Sequence, residues 1–218
     1  SVKTYVEYWN EDQSRLKIDY ENGRIQFEML SDKKIQNEQA LDKIQSKLLK
    51  KFELTASQIG AIDGAILEKN SLNMQIKGFS NKIHFEKKIF GNDGVERNLY
   101  RFEIPMVPDH IKKRALKFLP MIRFWSKKYS LPAELIIAVI WQESAFNPYA
   151  RSHIPAYGLM QIVPKFAGED VKVFLGDVAK INSDFLYNPE NNIKYGISYL
   201  NILSSKSFSE VKPFEKQV

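Results

Sequence analysis

The chain has 218 residues, no cysteine and a formal net charge of +6. That length allows one large domain or two small ones, and the lack of cysteine excludes disulfides and thiolate metal sites while leaving the compartment open. With 44% apolar and 27% charged residues the composition is that of an ordinary globular protein, and no apolar run has the length a membrane-spanning helix needs. The chain opens at Ser1 without a secretory leader, as a mature or trimmed form would. The cations are unevenly spread. Residues 1–105 carry a net +1 and residues 106–218 a net +5. The second half is therefore the one suited to an anionic partner, whether wall polymer, membrane surface or nucleic acid, or else to a set of solvated helix faces.

In chain order, Thr4–Tyr8 reads as a strand. Arg15–Tyr20 and Arg24–Met29 alternate apolar and polar residues on either side of Asn22-Gly23. An Asn-Gly pair between alternating runs is the mark of a hairpin closed by a type I′ turn. Ser31-Asp32 predicts the start of a helix with Ile35, Leu41, Ile44, Leu48 and Leu49 as its apolar positions. A second hairpin is expected from Lys82–Phe90 and Leu99–Ile104, joined through Gly91-Asn92-Asp93-Gly94, with one face of each strand solvated. Pro105 and Pro108 mark a change of style. From Asp109 to about Tyr129 a helix is predicted, with Ile111, Leu116, Phe118, Leu119, Ile122 and Trp125 available for burial and Pro120 kinking or splitting it. Pro132 suits the first turn of the next helix. The reading is α+β in two domains, 1–107 with antiparallel hairpins and 108–218 all-α, without internal repeats or low-complexity tracts.

The most apolar helix ends on a glutamate. Leu135–Ile140 holds no polar residue, and residues 132–143 are apolar almost all round, which predicts a buried helix. Asn147-Pro148 must end it, so Glu143 falls in its last turn. Burial and the negative helix end both disfavour a charged carboxylate there. A carboxyl group that keeps its proton can pass it to a leaving oxygen. The plainer alternative is an outward-pointing glutamate paired with an arginine such as Arg151.

Three blocks follow in order: Gln142–Pro148; Ala156–Pro164, which contains Gly158-Leu159-Met160-Gln161; and Asn188–Ile193 with Gly196 and Tyr199-Leu200. Over residues 130–203 they resemble the catalytic domains of the soluble-lytic-transglycosylase family, which have a goose-type lysozyme-like fold. The first half, with its short hairpins, and the loop Arg151–Tyr157 are similar to a membrane-bound branch of that family that carries an extra N-terminal domain. The resemblance implies an accessory α+β domain at 1–107 and an all-α, lysozyme-like catalytic domain at 108–218. It implies peptidoglycan glycan strands as substrate. The bond between N-acetylmuramic acid and N-acetylglucosamine would be cleaved without water, leaving a 1,6-anhydromuramoyl end. Glu143 matches the family's acid/base.

Ser144, Gly158, Met160, Gln161 and Tyr199 match positions that bind or shape the substrate groove. Ser144 would hydrogen-bond near the substrate, Gln161 would face an acetamido or peptide group, and Tyr199 would line the groove. Each has a plainer reading: a hydroxyl on helix-end carbonyls for Ser144, a turn-stabilising amide for Gln161, core packing for Met160 and Tyr199. Gly158 lets the backbone come close to ligand or helix. Tyr157 and Tyr187 are further candidates for stacking, or ordinary packing. By the same resemblance no metal or cofactor takes part. The location would be periplasmic in a Gram-negative bacterium, with a lipid tether to the outer membrane on a removed N-terminal segment.

A two-carboxylate glycosidase needs a second acid across the bond, and Glu169, Asp170, Asp177, Asp184 and Glu190 all lie outside the blocks with a catalytic role or match no catalytic position in them. A lone glutamate suffices if the muramoyl acetamido oxygen supports the anomeric carbon and the sugar's own 6-hydroxyl attacks it. The family continues with an Ala-Tyr-Asn-Ala-Gly-like motif that residues 201–218 do not contain, so a truncated catalytic domain is expected, with part of one groove wall missing. That keeps two alternatives open: a non-catalytic peptidoglycan-binding protein on the same scaffold, and a hydrolytic muramidase. His84, His110 and His153 are scattered and give no zinc pattern. The basic helix Lys112-Lys113-Arg114, Lys117, Arg123 and Lys127-Lys128 suits head groups or nucleic acid, but its aromatics read as core positions, so no nucleic-acid partner is expected.

Overall fold

The computed structural model describes residues 2–9, 14–33, 36, 84–89, 94–106 and 109–207. The helix predicted after Ser31-Asp32 lies outside the described residues. The chain divides into two compact units, Lys3–Arg114 and Ala115–Val218 with Ser1–Val2. It is α+β, with a sheet in the first unit and helices in the second.

Five strands, β1 (Thr4–Trp9), β2 (Ser14–Asp19), β3 (Arg24–Ser31), β4 (His84–Ile89) and β5 (Glu96–Pro105), form an antiparallel sheet in the order β1-β2-β3-β5-β4. Alternation sorts their side chains. Leu16 and Ile18 lie opposite Phe27 and Ile25, and with Met29 and Tyr100 they are buried on one face. On the other face Arg15, Glu28 and Arg101 stand side by side on three successive strands. Glu28 is buried and forms ion pairs with both arginines, at 3.0 Å from Arg101. A carboxylate in that position needs such partners, because its desolvation is otherwise uncompensated.

Both predicted hairpins form, and β4 pairs with β5 from Ile89↔Glu96 to His84↔Arg101. The turn of the first one differs from expectation. Asp19 pairs with Arg24, which leaves the four residues Tyr20–Gly23 in the loop. Within it only Gly23 has a positive φ, 63°, whereas a type I′ turn requires one at both central residues. Asp19 is the reason. Its carboxylate accepts the Asn22 N–H and the Asn22 amide, each at 2.9 Å, a local bond that sets an alternative turn.

A buried cation underlies this loop. Arg114 is 1% exposed. Its Nη2 donates to the Tyr20 carbonyl at 2.6 Å, its Nη1 meets His110 Nδ1 at 3.0 Å, and its guanidinium lies 5.1 Å from the Tyr20 ring centre. Desolvation pulls its pKa down to about 10. Because Arg114 has only donors, His110 accepts through Nδ1 and is neutral, with its proton on Nε2. Nε2 lies against Gly23, where any Cβ would come within 2.5 Å of it. Burial first, then the Arg114 charge, hold the imidazole below its ordinary 6.5, against the opposite pull of Asp109 and Asp19. The unfolded chain therefore takes up a proton that the folded unit resists. The stability contributed by neutral His110 is complete above pH 6.5 and is lost as pH falls through the lowered folded value. The urea midpoint is expected to fall on acidification below that pH, and His110→Gln is expected to flatten the slope. Equal slopes in both proteins would contradict this arrangement.

The second unit is built from α1 (His110–Tyr129), whose first turn belongs to the sheet unit, α2 (Ala133–Ser144), a π-helical turn Pro164–Gly168, α3 (Glu169–Leu175), α4 (Ser183–Tyr187) and α5 (Pro189–Ser207). Asparagines start two of these helices. Asn182 Oδ1 accepts the Phe185 N–H at 2.9 Å, and Asn188 Oδ1 accepts the N–H groups of Glu190 and Asn191, with Pro189 in the first turn. Val171, Tyr195 and Ile202 form a core cluster packed by Leu175, Ile181, Phe185 and Tyr199. Among the described residues no helix is long and apolar enough to cross a membrane.

The structure departs from three expectations about these helices. Pro120 does not split α1. It is exposed, as is Leu116 one turn earlier, so water can reach the Leu116 carbonyl that the missing N–H would have bonded. Leu116 was expected inside but is 53% exposed. The buried stripe runs through Phe118, Ile122 and Ser126 at four-residue spacing, and Leu116 falls about 160° away from Phe118 around the helix. Nor is α2 buried all round. Ile136, Ile140 and Ser144 make one buried stripe, again at four-residue spacing, and Leu135 and Trp141 lie outside it, about half exposed.

Candidate active site

Glu143 lies in the last turn of α2, after Trp141 and Gln142 on its exposed side and one residue before the fully buried Ser144. It is exposed, not buried as expected. Among the described residues it has no hydrogen-bond or ion-pair partner. Arg151 is not its counter-ion either: that guanidinium lies over the Tyr157 ring at 5.9 Å. The carboxylate at the end of the most apolar helix is thus unspent.

The chain reverses directly after it. Ala145 (φ 50°) caps α2 in the left-handed region with its N–H on the Trp141 carbonyl at 2.9 Å, and Phe146 (φ 60°) follows in the same region. Each such non-glycine residue costs about 1–2 kcal/mol. Packing sustains the pair: Ala145, Phe146 and Asn147 are almost fully buried, and the Phe146 ring stacks on Phe118 with centroids 6.5 Å apart.

Ser144 was expected to line the groove. It is fully buried, and its Oγ lies within donor distance of the Ile140 carbonyl (3.0 Å) and the Leu159 carbonyl (2.8 Å). The second of these ties the end of α2 to the turn Gly158–Gln161. That turn is closed by Tyr157 and Ile162, which exchange both backbone hydrogen bonds at 3.0 Å. Gly158 has φ 76°, and a Cβ on it would overlap the Asn192 side chain and the Leu186 carbonyl. Met160 is 6% exposed, with its side chain against Gly196 of α5, so it packs in the core. Gln161 (φ 50°) is half-buried. Its amide donates to the carbonyls of Gly158 (2.9 Å) and Ala150 (3.2 Å). Its Oε1 is buried without a hydrogen-bond partner among the described residues.

Asn192 holds the turn from the other side, and the sequence reading passed over it. Fully buried on α5, it accepts the Met160 N–H through Oδ1 and donates to the carbonyls of Tyr157 and Leu186, all at 2.8 Å. Its signal was present: a polar residue one turn before Gly196, on the face that Met160 packs against. Asn192→Ala removes all three of these bonds, leaving the Met160 N–H without its acceptor, and is expected to cost about 2–4 kcal/mol, seen as a lower urea midpoint. A change below about 0.5 kcal/mol would mean the turn is held otherwise. Tyr199 is half-buried and packs against the Val171–Tyr195–Ile202 cluster. Tyr157 meets Tyr187 edge-on at 5.7 Å, and Tyr187 meets Tyr149 at 5.5 Å, so these rings pack on one another.

The structure therefore links Glu143, through its neighbour Ser144, to the turn bearing Gly158, Met160 and Gln161. Residues 120–211 match the family of the transglycosylase SLT domain. The chain is 32% identical over 216 residues to membrane-bound lytic murein transglycosylase C of Glaesserella parasuis serovar 5, covering 93% of this chain and 59% of the relative. To the protein of that name in Photorhabdus laumondii it is 32% identical over 233 residues, covering 96% of this chain and 62% of the relative. The Serratia proteamaculans protein of that name is 47% identical over 107 residues, covering 49% of this chain and 30% of the relative. The chain thus spans about three fifths of the length of the relatives it matches end to end. Among solved structures, the 70 kDa soluble lytic transglycosylase of Escherichia coli is 30% identical, with a TM-score of 0.41, over 45% of this chain and 16% of that one.

Proposed function

We propose that the chain is the greater part of a peptidoglycan lytic transglycosylase, with a catalytic domain at 108–218 and an accessory domain at 1–107. The observation that carries the reading is Glu143: an exposed, unpaired carboxylate at the end of α2, beside a turn held by the buried bonds of Ser144 and Asn192. The SLT match over 120–211 and the names of the relatives support it.

Glycan binding would cover Glu143. In this reading Glu143 enters the reaction carrying a proton, as a general acid must. Glu143 donates that proton to the oxygen between N-acetylmuramic acid and N-acetylglucosamine, and the bond to the muramoyl C1 breaks. The muramoyl acetamido oxygen supports C1. Glu143, now a carboxylate, takes the proton of the 6-hydroxyl as that oxygen bonds to C1. The product is a 1,6-anhydromuramoyl end, no water is consumed, and Glu143 regains its proton. The half-buried Gln161 is the candidate to face the acetamido or peptide side of the substrate. Ser144 and Gly158 fix the turn from within. The relatives' printed name supports association with a membrane; a periplasmic location with a tether to the outer membrane is part of the same proposal. Digestion in ¹⁸O-water tests the chemistry: the products are expected to carry no solvent oxygen, and label at the muramoyl C1 would assign a hydrolase instead.

A further inference from the structure

α1 contains seven basic residues and no acidic one. Within the helical unit, Leu116, Lys117, Arg123, Phe124 and Lys127 are all exposed and fall within about 60° of Pro120 around the helix. Two large apolar side chains lie among the cations: Leu116 is 53% exposed and Phe124 63%. Lys117, Arg123 and Lys127 have no hydrogen-bond or ion-pair partner among the described residues. Lys128, at the edge of the stripe, is laid over the Trp125 ring at 4.7 Å.

A single sign of charge around an apolar centre is complementary to a surface that is anionic outside and hydrocarbon beneath. A soluble polyanion would pair with the cations but leave Leu116 and Phe124 in water. Lysine and arginine stems can lie along apolar surface while their heads stay at the polar layer. We propose that this face of α1 docks flat on an anionic lipid membrane. Phe124 and Leu116 enter the acyl boundary, and Lys117, Arg123 and Lys127 meet the headgroup phosphates. The docking uses no residue of the candidate active site, so its failure and the failure of the catalytic reading are separable.

The test is co-sedimentation of the full 218-residue chain with vesicles of phosphatidylcholine, alone or with about one third phosphatidylglycerol. Partitioning is expected only onto the anionic vesicles, and it should weaken with salt. Lys117→Gln, Arg123→Gln and Lys127→Gln together should weaken it about a hundredfold. Leu116→Ser with Phe124→Ser should weaken it at least about tenfold. Neither set should move the thermal midpoint, since all five side chains are exposed. Phe124→Trp should show a blue-shifted emission on the vesicles, quenched by brominated acyl chains. As a control, Lys165→Gln, Lys172→Gln and Lys180→Gln remove the same charge elsewhere and should leave binding unchanged. Three results would overturn the proposal: no binding to anionic vesicles, an equal loss in the control, or binding that polyphosphate abolishes while the two serine substitutions have no effect. The last would assign the face to a polyanion.

Discussion

Glu143→Gln is expected to lower the rate of peptidoglycan cleavage by about 10³–10⁴-fold while glycan binding stays within about twofold, a few tenths of a kcal/mol. The amide keeps the shape of the carboxyl group but can neither give the proton to the leaving oxygen nor take one from the 6-hydroxyl. Both steps fall on one residue in this account, so nothing nearby replaces it. The fold should not notice. Glu143 is exposed and unpaired among the described residues, and substitutions of that kind stay within about 0.5 kcal/mol. The variant thus separates chemistry from structure cleanly. Wild-type turnover would remove Glu143 from the mechanism. A large loss of stability would mean that its carboxylate has a structural partner.

Gly158→Ala should act in the opposite way, through the fold. The residue sits at φ 76°, where a Cβ costs about 1–2 kcal/mol before any clash. The added carbon would also overlap the Asn192 side chain and the Leu186 carbonyl. Asn192 can yield only by giving up bonds to Met160, Tyr157 and Leu186, and the Leu186 carbonyl is backbone. A total near 3–5 kcal/mol is expected, strain and lost buried hydrogen bonds together, as a marked drop in thermal midpoint. Activity should fall even where the variant is folded, because the turn that carries Gln161 is displaced. A stability change under about 1 kcal/mol would show that this turn relaxes freely.

Period-two alternation and turn residues made the sheet legible: the strands of both hairpins were read within a residue or two at most ends. The turn type was not, because Asp19 competes for Asn22 and the dipeptide alone does not show that bond. Helix positions were legible for α1 and α2, but their faces were not. An all-apolar segment such as Leu135–Ile140 carries no periodicity to say which side is covered, so it does not show that Leu135 and Trp141 lie outside the buried stripe. In α1, apolar residues stand on both sides of the helix, and only packing through Phe118, Ile122 and Ser126 distinguishes core from surface.

At the site, the glutamate and its turn stood out because Pro148 and Gly158 punctuate them. The tertiary bonds did not. Ser144 donating to Leu159 spans 15 residues and Asn192 binding Met160 spans 32, and a polar residue in a motif reads equally as ligand contact or as clamp. Burial decides between them. It makes Ser144 and Asn192 positioning groups and leaves Glu143 facing solvent.

The most direct measurement is mass spectrometry of the soluble products released from purified peptidoglycan by the 218-residue chain. The account predicts muropeptides one water lighter than hydrolytic products, each ending in 1,6-anhydromuramic acid, and none with Glu143→Gln. Products with a reducing muramoyl end, or glycan strands that bind the chain and stay uncut, would contradict it.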